Sequence, residues 1–313
     1  MKTILITGGS GFLGRNLALE LKKKYNVVIS GRNNSQNNYA EQVTGCKSIP
    51  LDITNIESVR DGINLVNPDI LIHAAATKYV GLSEKFPMEC IDVNVIGSQN
   101  IARVAIDKKI DIVVGVSTDK AAPPTSNTYA MSKAIMERAF CSLNNSDATK
   151  FTCVRFGNLA WSTGSVFPIW KNMLDNNGKI ESTGPYMRRY FISVKEAVQI
   201  VIDSFENIEK TQGAVITRDM KAVKISDILD VWIEEFGGTW KEIERRQGDT
   251  DDEHLIGDAE LEYSKALILG NQKYFLTQFR TREKESLKES VCSDTAERMS
   301  KEEIRKLITE LPE

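Results

Sequence analysis

Thr7-Gly8-Gly9-Ser10-Gly11-Phe12-Leu13-Gly14 joins the apolar run Ile4-Leu5-Ile6 to a stretch, Phe12 to Lys24, in which Phe12, Leu13, Leu17 and Leu21 recur at helical spacing. A strand, a glycine-rich turn and a helix in that order open a Rossmann unit. Gly8, Gly11 and Gly14 let the turn close and let a pyrophosphate approach the backbone. The first turn of the helix supplies free N–H groups and the positive end of its dipole. Glycines so spaced also serve in plain structural turns; the strand before and the helix after favour a dinucleotide.

Reading outward, apolar runs at Val27–Ile29, Ser48–Leu51, Ile70–Ile72, Ile112–Val116 and Thr152–Phe156 alternate with helical patterns at Ile56–Val66, Pro87–Asp107 and Thr128–Leu143. Strands that are apolar on both faces and separated by helices predict a parallel sheet covered on both sides. Right-handed crossovers then give an α/β, doubly wound order. The second half is less regular. It carries amphipathic helices at Val194–Phe205 and Ile225–Phe236, and glycine- and charge-rich loops at Gly178–Arg189 and Arg245–Gly257. Lys284–Arg298 reads as a polar surface arm, and Ser300 with Glu303 as the capping box of a last helix over Lys301–Leu311. The expected division is a dinucleotide-binding domain over 1–157 and a smaller substrate lobe over 158–313, with about 190–216 returning to the first core.

The composition agrees with an ordinary globular chain: 313 residues, 41% hydrophobic, 27% charged, net charge −3. Such mild acidity argues against a nucleic-acid partner and against a basic membrane-surface helix. A local arginine cluster still suits an anionic ligand. No apolar run approaches a membrane span. Five cysteines, none in a C-x-x-C pair, read as free thiols of a reducing compartment, hence a cytoplasmic location. Only two histidines, His73 and His254, leave few ligands for a catalytic zinc, and no metal is expected.

The end of the second strand, Ser30-Gly31-Arg32-Asn33, lacks the carboxylate that would bind the ribose 2′-hydroxyl of NAD. Arg32 suits a 2′-phosphate, which points to NADP rather than NAD; a solvated loop charge is the plain alternative. Ser10, Phe12 and Leu13 line the same turn. Asp52-Ile53 follows the third strand and suits the adenine. Ala74-Ala75-Ala76 follows the fourth, where small residues let a dinucleotide lie close or simply pack a helix tightly.

Ser117-Thr118-Asp119-Lys120 ends the fifth strand, at the carboxyl edge where such sheets bind ligands. Tyr129 and Lys133 then share one face of the following helix. An ammonium beside a phenol favours the phenolate, and the phenol then takes a proton from an alcohol. Alone, such a pair is commonly just an exposed helix surface.

With Asn94 in the fourth crossover helix, these residues make the chain resemble the extended short-chain dehydrogenase/reductases, and among them the inverting UDP-N-acetylglucosamine 4,6-dehydratases. His73-Ala74-Ala75-Ala76-Thr77-Lys78 looks like that family's H-A-A-A-x-K, and Ser117 to Ala121 matches its S-T-D-K-A. Val154 to Asn158, Gly164-Ser165-Val166, Met187 to Ile192 and Arg246 to Glu253 resemble V-R-[YF]-G-N, G-S-V, M-T-R-F-x-I and R-P-G-E-K-x-x-E. The chain departs from the pattern in a longer stretch between Asp119 and Tyr129, and in Ala130, Ser132 and Thr250, which stand for glycine, threonine and lysine.

The resemblance implies oxidation at the sugar C4 by NADP, removal of the C5 proton by a neutral Lys120, and loss of the C6 hydroxyl with help from Asp119. Lys120 is expected to be neutral through two positive neighbours, NADP⁺ and Lys133. The resemblance also assigns Asn94 to the cofactor, Arg188, Arg189 and Arg246 to the phosphates of a UDP-sugar, and Lys78 to the substrate. Asn158, Ser165 and Val166 would line the nucleotide end, and Glu253 would accept from the uridine ribose. It further implies a homo-oligomer built on the helices beside the site. A nucleotide-sugar 4-epimerase or reductase is the alternative enzyme, and a non-catalytic dinucleotide sensor the alternative of another class.

Overall fold

The computed structural model describes residues 1–144, 149–245 and 249–311. Its first half runs β1 (Thr3–Thr7), α1 (Phe12–Leu21), β2 (Asn26–Gly31), α2 (Asn34–Thr44), β3 (Lys47–Pro50), α3 (Ile56–Val66), β4 (Ile70–His73), α4 (Val80–Lys85), α5 (Pro87–Ile91), α6 (Gly97–Asp107), β5 (Ile112–Val116), α7 (Thr128–Leu143) and β6 (Lys150–Arg155). The second half runs β7 (Asn158–Leu159), α8 (Val166–Asn177), β8 (Lys179–Thr183), β9 (Arg188–Ile192), α9 (Val194–Glu206), α10 (Ile208–Thr211), β10 (Ala214–Arg218), β11 (Ala222–Lys224), α11 (Ile225–Phe236), β12 (Thr239–Ile243), β13 (His254–Ile256), β14 (Ser264–Leu269), β15 (Gln272–Gln278), β16 (Val291–Cys292) and α12 (Lys301–Thr309).

The main sheet has nine strands in the order β14-β15-β10-β6-β5-β4-β1-β2-β3. From β3 to β10 it is parallel, and β15 and β14 add an antiparallel hairpin at one edge. Leu5, Leu71 and Val113 face α3, α6 and α7, packing with Val59, Ile63, Ile101, Val104, Met136 and Phe140. Ile4, Ile6, Ile72 and Val114 face α1 and α9, packing with Leu17, Leu21, Val198 and Val201. Both faces are buried, which is why these strands read as unbroken apolar runs. The expected doubly wound α/β architecture is what the chain forms. A third core, with Phe167, Trp170, Trp232, Ile228, Leu229 and Ile308, holds α8, α11 and α12 together beyond the carboxyl edge.

The structure corrects several local expectations. Pro87–Asp107 is not one regular helix: the turn Asp92–Ile96 between α5 and α6 is a π-helix. Gly178–Arg189 is not a loop throughout, since β8 pairs in parallel with β12. Lys284–Arg298 is not a free arm. Its β16 pairs with β13, and Cys292 and Ser293 are buried. The capping box on α12 is present, Ser300 Oγ accepting from Glu303 N at 3.2 Å.

Candidate active site

The glycine turn closes by Gly11 N donating to Gly8 O at 2.9 Å. Gly8 has φ +70°, and a Cβ there would stand 2.7 Å from Ala75 N. A Cβ on Gly14 would stand 2.5 Å from Gly9 Cα, so α1 reaches the turn only because no side chain intervenes. A cavity of about 720 Å³ runs along the carboxyl edge from this turn. Gly8, Ser10, Gly11, Phe12, Leu13, Gly14, Arg32, Asp52, Ile53 and Ala74 to Ala76 line one end; Thr118, Lys120, Tyr129 and Lys133 line the other. Arg32 is exposed at the rim. Asp52 is turned onto its own loop, Oδ1 accepting from Thr54 N at 3.0 Å and Thr54 Oγ1 at 2.8 Å.

Asn94 does not line this cavity. Its amide accepts from Thr77 N at 2.9 Å and donates to Thr77 O at 3.1 Å and to Ser132 Oγ at 3.0 Å. The assignment of Asn94 as a cofactor contact is therefore corrected to a brace between the loop after β4 and α7. Ser132 in turn donates to Tyr129 O at 2.7 Å. The buried His73 extends the brace, its ring nitrogens lying 2.8 Å from Thr7 Oγ1 and 3.0 Å from Ser98 Oγ. Burial first, and then the Lys133 charge, push its imidazole down to about 3, so it stays neutral.

Tyr129 stands in the first turn of α7, which Asn127 caps by accepting from Ala130 N at 2.8 Å. Burial pushes the phenol up to about 12 and Asp119 adds to the rise; the Lys120 charge pulls the other way. Lys120 is the cation that lowers it most, and Lys133 lies one turn further along α7. Lys133 is buried, its Nζ lies 3.5 Å from Met136 Sδ, and burial brings its ammonium down to about 8.

Asp119 begins a short 3₁₀ turn after β5 and is fully buried. Its Oδ1 accepts from Thr118 Oγ1 at 3.0 Å and from Lys120 Nζ at 3.1 Å. Its Oδ2 has no partner among the described residues. Lys120 Nζ also lies 3.3 Å from Glu253 Oε1. Burial pulls the Lys120 ammonium down, but the two carboxylates outweigh it and the net shift is upward. Without a cofactor the two carboxylates thus favour the ammonium form of Lys120, whereas the expected neutral form depends on the positive charge of NADP⁺ as well. Glu253 faces Lys120 as well as Arg189, whose Nε is 3.7 Å away. No sequence spacing links Glu253 to Lys120, so the pairing was not visible in the sequence.

Lys120 and Asn158 also line a second cavity of about 490 Å³ over α8, β8 and β9, with Val166, Arg189 and Glu253. Trp170, Met173, Glu181, Ser182 and Thr183 complete that wall. Glu181, Ser182 and Thr183 stand on β8, within the stretch expected to be a loop, and Trp170 and Met173 on α8, for which the sequence held no separate expectation. Lys78 and Ser165 line the first cavity, Lys78 Nζ donating to Thr163 O at 2.6 Å. Arg188 lines neither cavity: it forms a two-pronged pair with Asp252 at 2.6 and 2.5 Å. Its expected role as a phosphate ligand is corrected to a clamp on the loop that carries Glu253. Arg246 lies outside the described residues. Among the described residues no group of three or more potential ligands is placed to hold a metal ion. All five cysteines are unpaired and buried. No described helix is long and apolar enough to cross a membrane. Beside the site, α4, α5 and α7 expose Leu82, Met88, Ile91, Met131 and Ile135.

A parallel sheet of this order, with a glycine turn at one end of its edge cleft and a tyrosine and lysine at the other, is that of the extended short-chain dehydrogenase/reductases. Residues 4–268 match the family described as polysaccharide biosynthesis protein, and the chain belongs to that family. It is 31% identical to a UDP-N-acetylglucosamine 4,6-dehydratase (inverting) of Campylobacter jejuni, over 72% of this chain and 70% of that one. It is also 31% identical to a UDP-glucose 4-epimerase of Rickettsia bellii, over 99% of this chain and 96% of the other. Among solved structures it superposes on Pen from Bacillus thuringiensis with a TM-score of 0.89, at 28% identity, covering 98% of this chain and 96% of that one. The chain is accordingly an enzyme of the nucleotide-sugar dehydratase and epimerase superfamily.

Proposed function

We propose that this chain is an inverting UDP-N-acetylglucosamine 4,6-dehydratase that works with NADP. The observation that carries the reading is the place of Asp119-Lys120. The pair opens the 3₁₀ turn after β5, Lys120 lines both cavities, and Tyr129 lines the first, which suits a base and an acid acting on the carbons beside an oxidised C4.

The residues present suit a dinucleotide. The glycine turn leaves a cradle that a Cβ at Gly8 or Gly14 would fill, at the N-terminus of α1. Bound there, NADP supplies a hydride acceptor that also returns the hydride. Gly8 to Gly14 hold the pyrophosphate, Arg32 the 2′-phosphate, and Asp52, Ile53 and Ala74 to Ala76 the adenine side. Tyr129 takes the C4 hydroxyl proton, with Lys133 buried one turn behind it. The Lys120 ammonium first passes a proton to the Asp119 carboxylate it is hydrogen-bonded to; neutral Lys120 then takes the proton from C5, and Asp119 gives its proton to the departing C6 hydroxyl, which leaves as water. Lys120 then gives a proton to C5 from the opposite face. Lys78, Asn158, Ser165, Val166 and Arg189 line the path of the UDP-sugar. In this reading residues 1–157 hold the dinucleotide and 158–313 mainly the sugar. The exposed apolar residues of α4, α5 and α7 support a homo-oligomer, and the unpaired thiols a cytoplasmic location.

Incubation with UDP-N-acetylglucosamine in deuterated water, followed by mass spectrometry and NMR, tests the proposal. Loss of one water, solvent deuterium at C5 and no net accumulation of NADPH are expected. The second reading, a 4-epimerase, is favoured by the full-length similarity to the Rickettsia protein. It gives a product of unchanged mass without deuterium at C5, and that outcome replaces the first reading.

A further inference from the structure

We propose that His73 is a positioning residue: with its ring proton held on Nε2, it ties the glycine turn to the helix that carries Tyr129 and keeps the phenol in register with a dinucleotide bound at that turn. For its consequence in turnover this rests on the function proposed above.

His73 ends β4 and is buried, with Thr7 on one side of its ring and Ser98 on the other. Thr7 is the last residue of β1, directly before Gly8, and Ser98 stands in the first turn of α6. What Ser98 does fixes the proton on the ring. Ser98 Oγ lies 2.5 Å from the Asn94 carbonyl oxygen, which can only accept, so the hydroxyl proton points there. Towards His73 Nε2, 3.0 Å away, Ser98 Oγ has only lone pairs to offer, and the nitrogen must bring the proton. Burial and the nearby Lys133 charge keep the imidazole neutral, so Nδ1 is bare and accepts from Thr7 Oγ1 at 2.8 Å. The opposite tautomer would set two lone pairs against each other at Nε2 and leave both buried groups unsatisfied.

Asn94 carries the chain onward. Its amide nitrogen donates to Ser132 Oγ at 3.0 Å, and Ser132 Oγ donates to the Tyr129 carbonyl at 2.7 Å. Each of the two serine hydroxyls accepts once and donates once. Both donate to carbonyls, so the chain runs in one direction only. Thr7, His73, Ser98, Asn94 and Ser132 are all buried. The link matters because the backbone alone does not set the place of Tyr129 relative to the turn. Residues 117–127 separate the end of β5 from α7, and the cap of that helix, Asn127, belongs to the same stretch. Glu84 of α4 also accepts from Thr128 N, at 2.6 Å, but Glu84 is exposed. An apolar ring would fill the volume beside Phe140, whose centroid is 5.9 Å away, but would carry no directed bond from Thr7 to Ser98.

Two variants test this. His73→Phe keeps the ring volume and removes both bonds. Thr7→Val with His73→Phe and Ser98→Ala also removes the hydroxyls left without their partner, and is expected to recover most of the melting temperature that the single variant loses. In both, kcat for UDP-N-acetylglucosamine is expected to fall on the order of tenfold or more, with KM and the Kd for NADPH little changed. Amides of Thr128 to Lys133 are expected to exchange hydrogen faster than in wild type. NMR of the histidine ring nitrogens, with His254→Asn used to assign the signals, is expected to show His73 protonated at Nε2 and bare at Nδ1 at neutral pH. A proton on Nδ1 overturns the proposal. So does a triple variant that regains wild-type kcat together with its stability, the mark of a purely structural ring, or one whose α7 amides exchange as in wild type. If the wild type turns over no UDP-N-acetylglucosamine, the function proposed above fails, and the ring spectrum and the exchange of α7 decide the role of His73.

Discussion

Arg155 on β6 and Glu137 on α7 meet fork to fork, Nε to Oε1 at 3.0 Å and Nη2 to Oε2 at 2.6 Å, with both side chains 1% exposed. The other side of the guanidinium meets Glu260 at 2.9 and 3.0 Å and the Leu255 carbonyl at 2.7 Å. A single buried cation therefore ties three parts of the chain together. Glu137 lies one turn beyond Lys133, so the same contact fixes the rotation of the helix that carries Tyr129.

Breaking this contact from one side leaves two buried carboxylates without a countercharge. Arg155→Met is expected to lose about 3–5 kcal/mol of stability in chemical denaturation. Replacing all three residues together, Arg155→Met with Glu137→Leu and Glu260→Leu, is expected to recover most of it, because no unpaired charge then remains. A single variant as stable as wild type would show that water reaches the site and that the triad is not closed.

Lys133 gives a prediction whose sign depends on pH. Burial lowers its ammonium from 10.5 to about 8. Below pH 8 folded and unfolded chains are both protonated there, and the folded one carries the full cost of the buried charge. Between pH 8 and 10.5 the unfolded chain binds more protons at this site, so stability rises with pH until the cost is gone. Lys133→Met is therefore expected to be more stable than wild type at pH 7, by about 2–3 kcal/mol, and the difference to fade towards pH 10. Equal differences at pH 7 and pH 10, measured by urea unfolding, would rule out this account.

How much of this was legible in the sequence depended on the range of the signal. The glycine turn, the six parallel strands and the Tyr129 and Lys133 face are local patterns, and each is where its spacing places it. The edge hairpin was equally local and was passed over: Gly270-Asn271 between Leu269 and Gln272 is a two-residue turn joining apolar runs. The surroundings of Lys120 were only half readable: Asp119 is its sequence neighbour, but Glu253 is brought beside it by a loop held on β9 and next to β16. The expectation for Asn94 placed it correctly on the helix but not its amide, which is engaged within the protein.

Arg32 decides the choice of cofactor in the proposed function. It stands exposed at the rim of the first cavity, beside Gly31, where a Cβ would meet Ser10 Oγ. A charge-assisted hydrogen bond to a phosphate contributes about 1.5–3 kcal/mol. Arg32→Ala is thus expected to weaken NADPH at least tenfold and leave NADH unchanged, as read by the fluorescence of the bound nicotinamide. Equal loss for both cofactors would assign Arg32 to the shared part of the dinucleotide, and no loss would make it a solvated charge.

Tyr129 bears on the chemical step itself. Tyr129 lines the same cavity as the glycine turn, together with Thr118, Lys120 and Lys133. Removing the hydroxyl takes away a proton acceptor but little packing, because the ring of Tyr129→Phe fills the same space. A positioned acid or base contributes about 10²–10⁴ in rate. Tyr129→Phe is therefore expected to lower kcat for UDP-N-acetylglucosamine by at least a hundredfold, with the Kd for NADPH unchanged and the melting temperature close to that of wild type. A cofactor sensor would give a different pattern, with ligand binding intact and no turnover in either protein. A variant retaining wild-type turnover would leave the proton of the C4 hydroxyl to another group, and Lys120, which lines the same end of the cavity, would be the next residue to substitute.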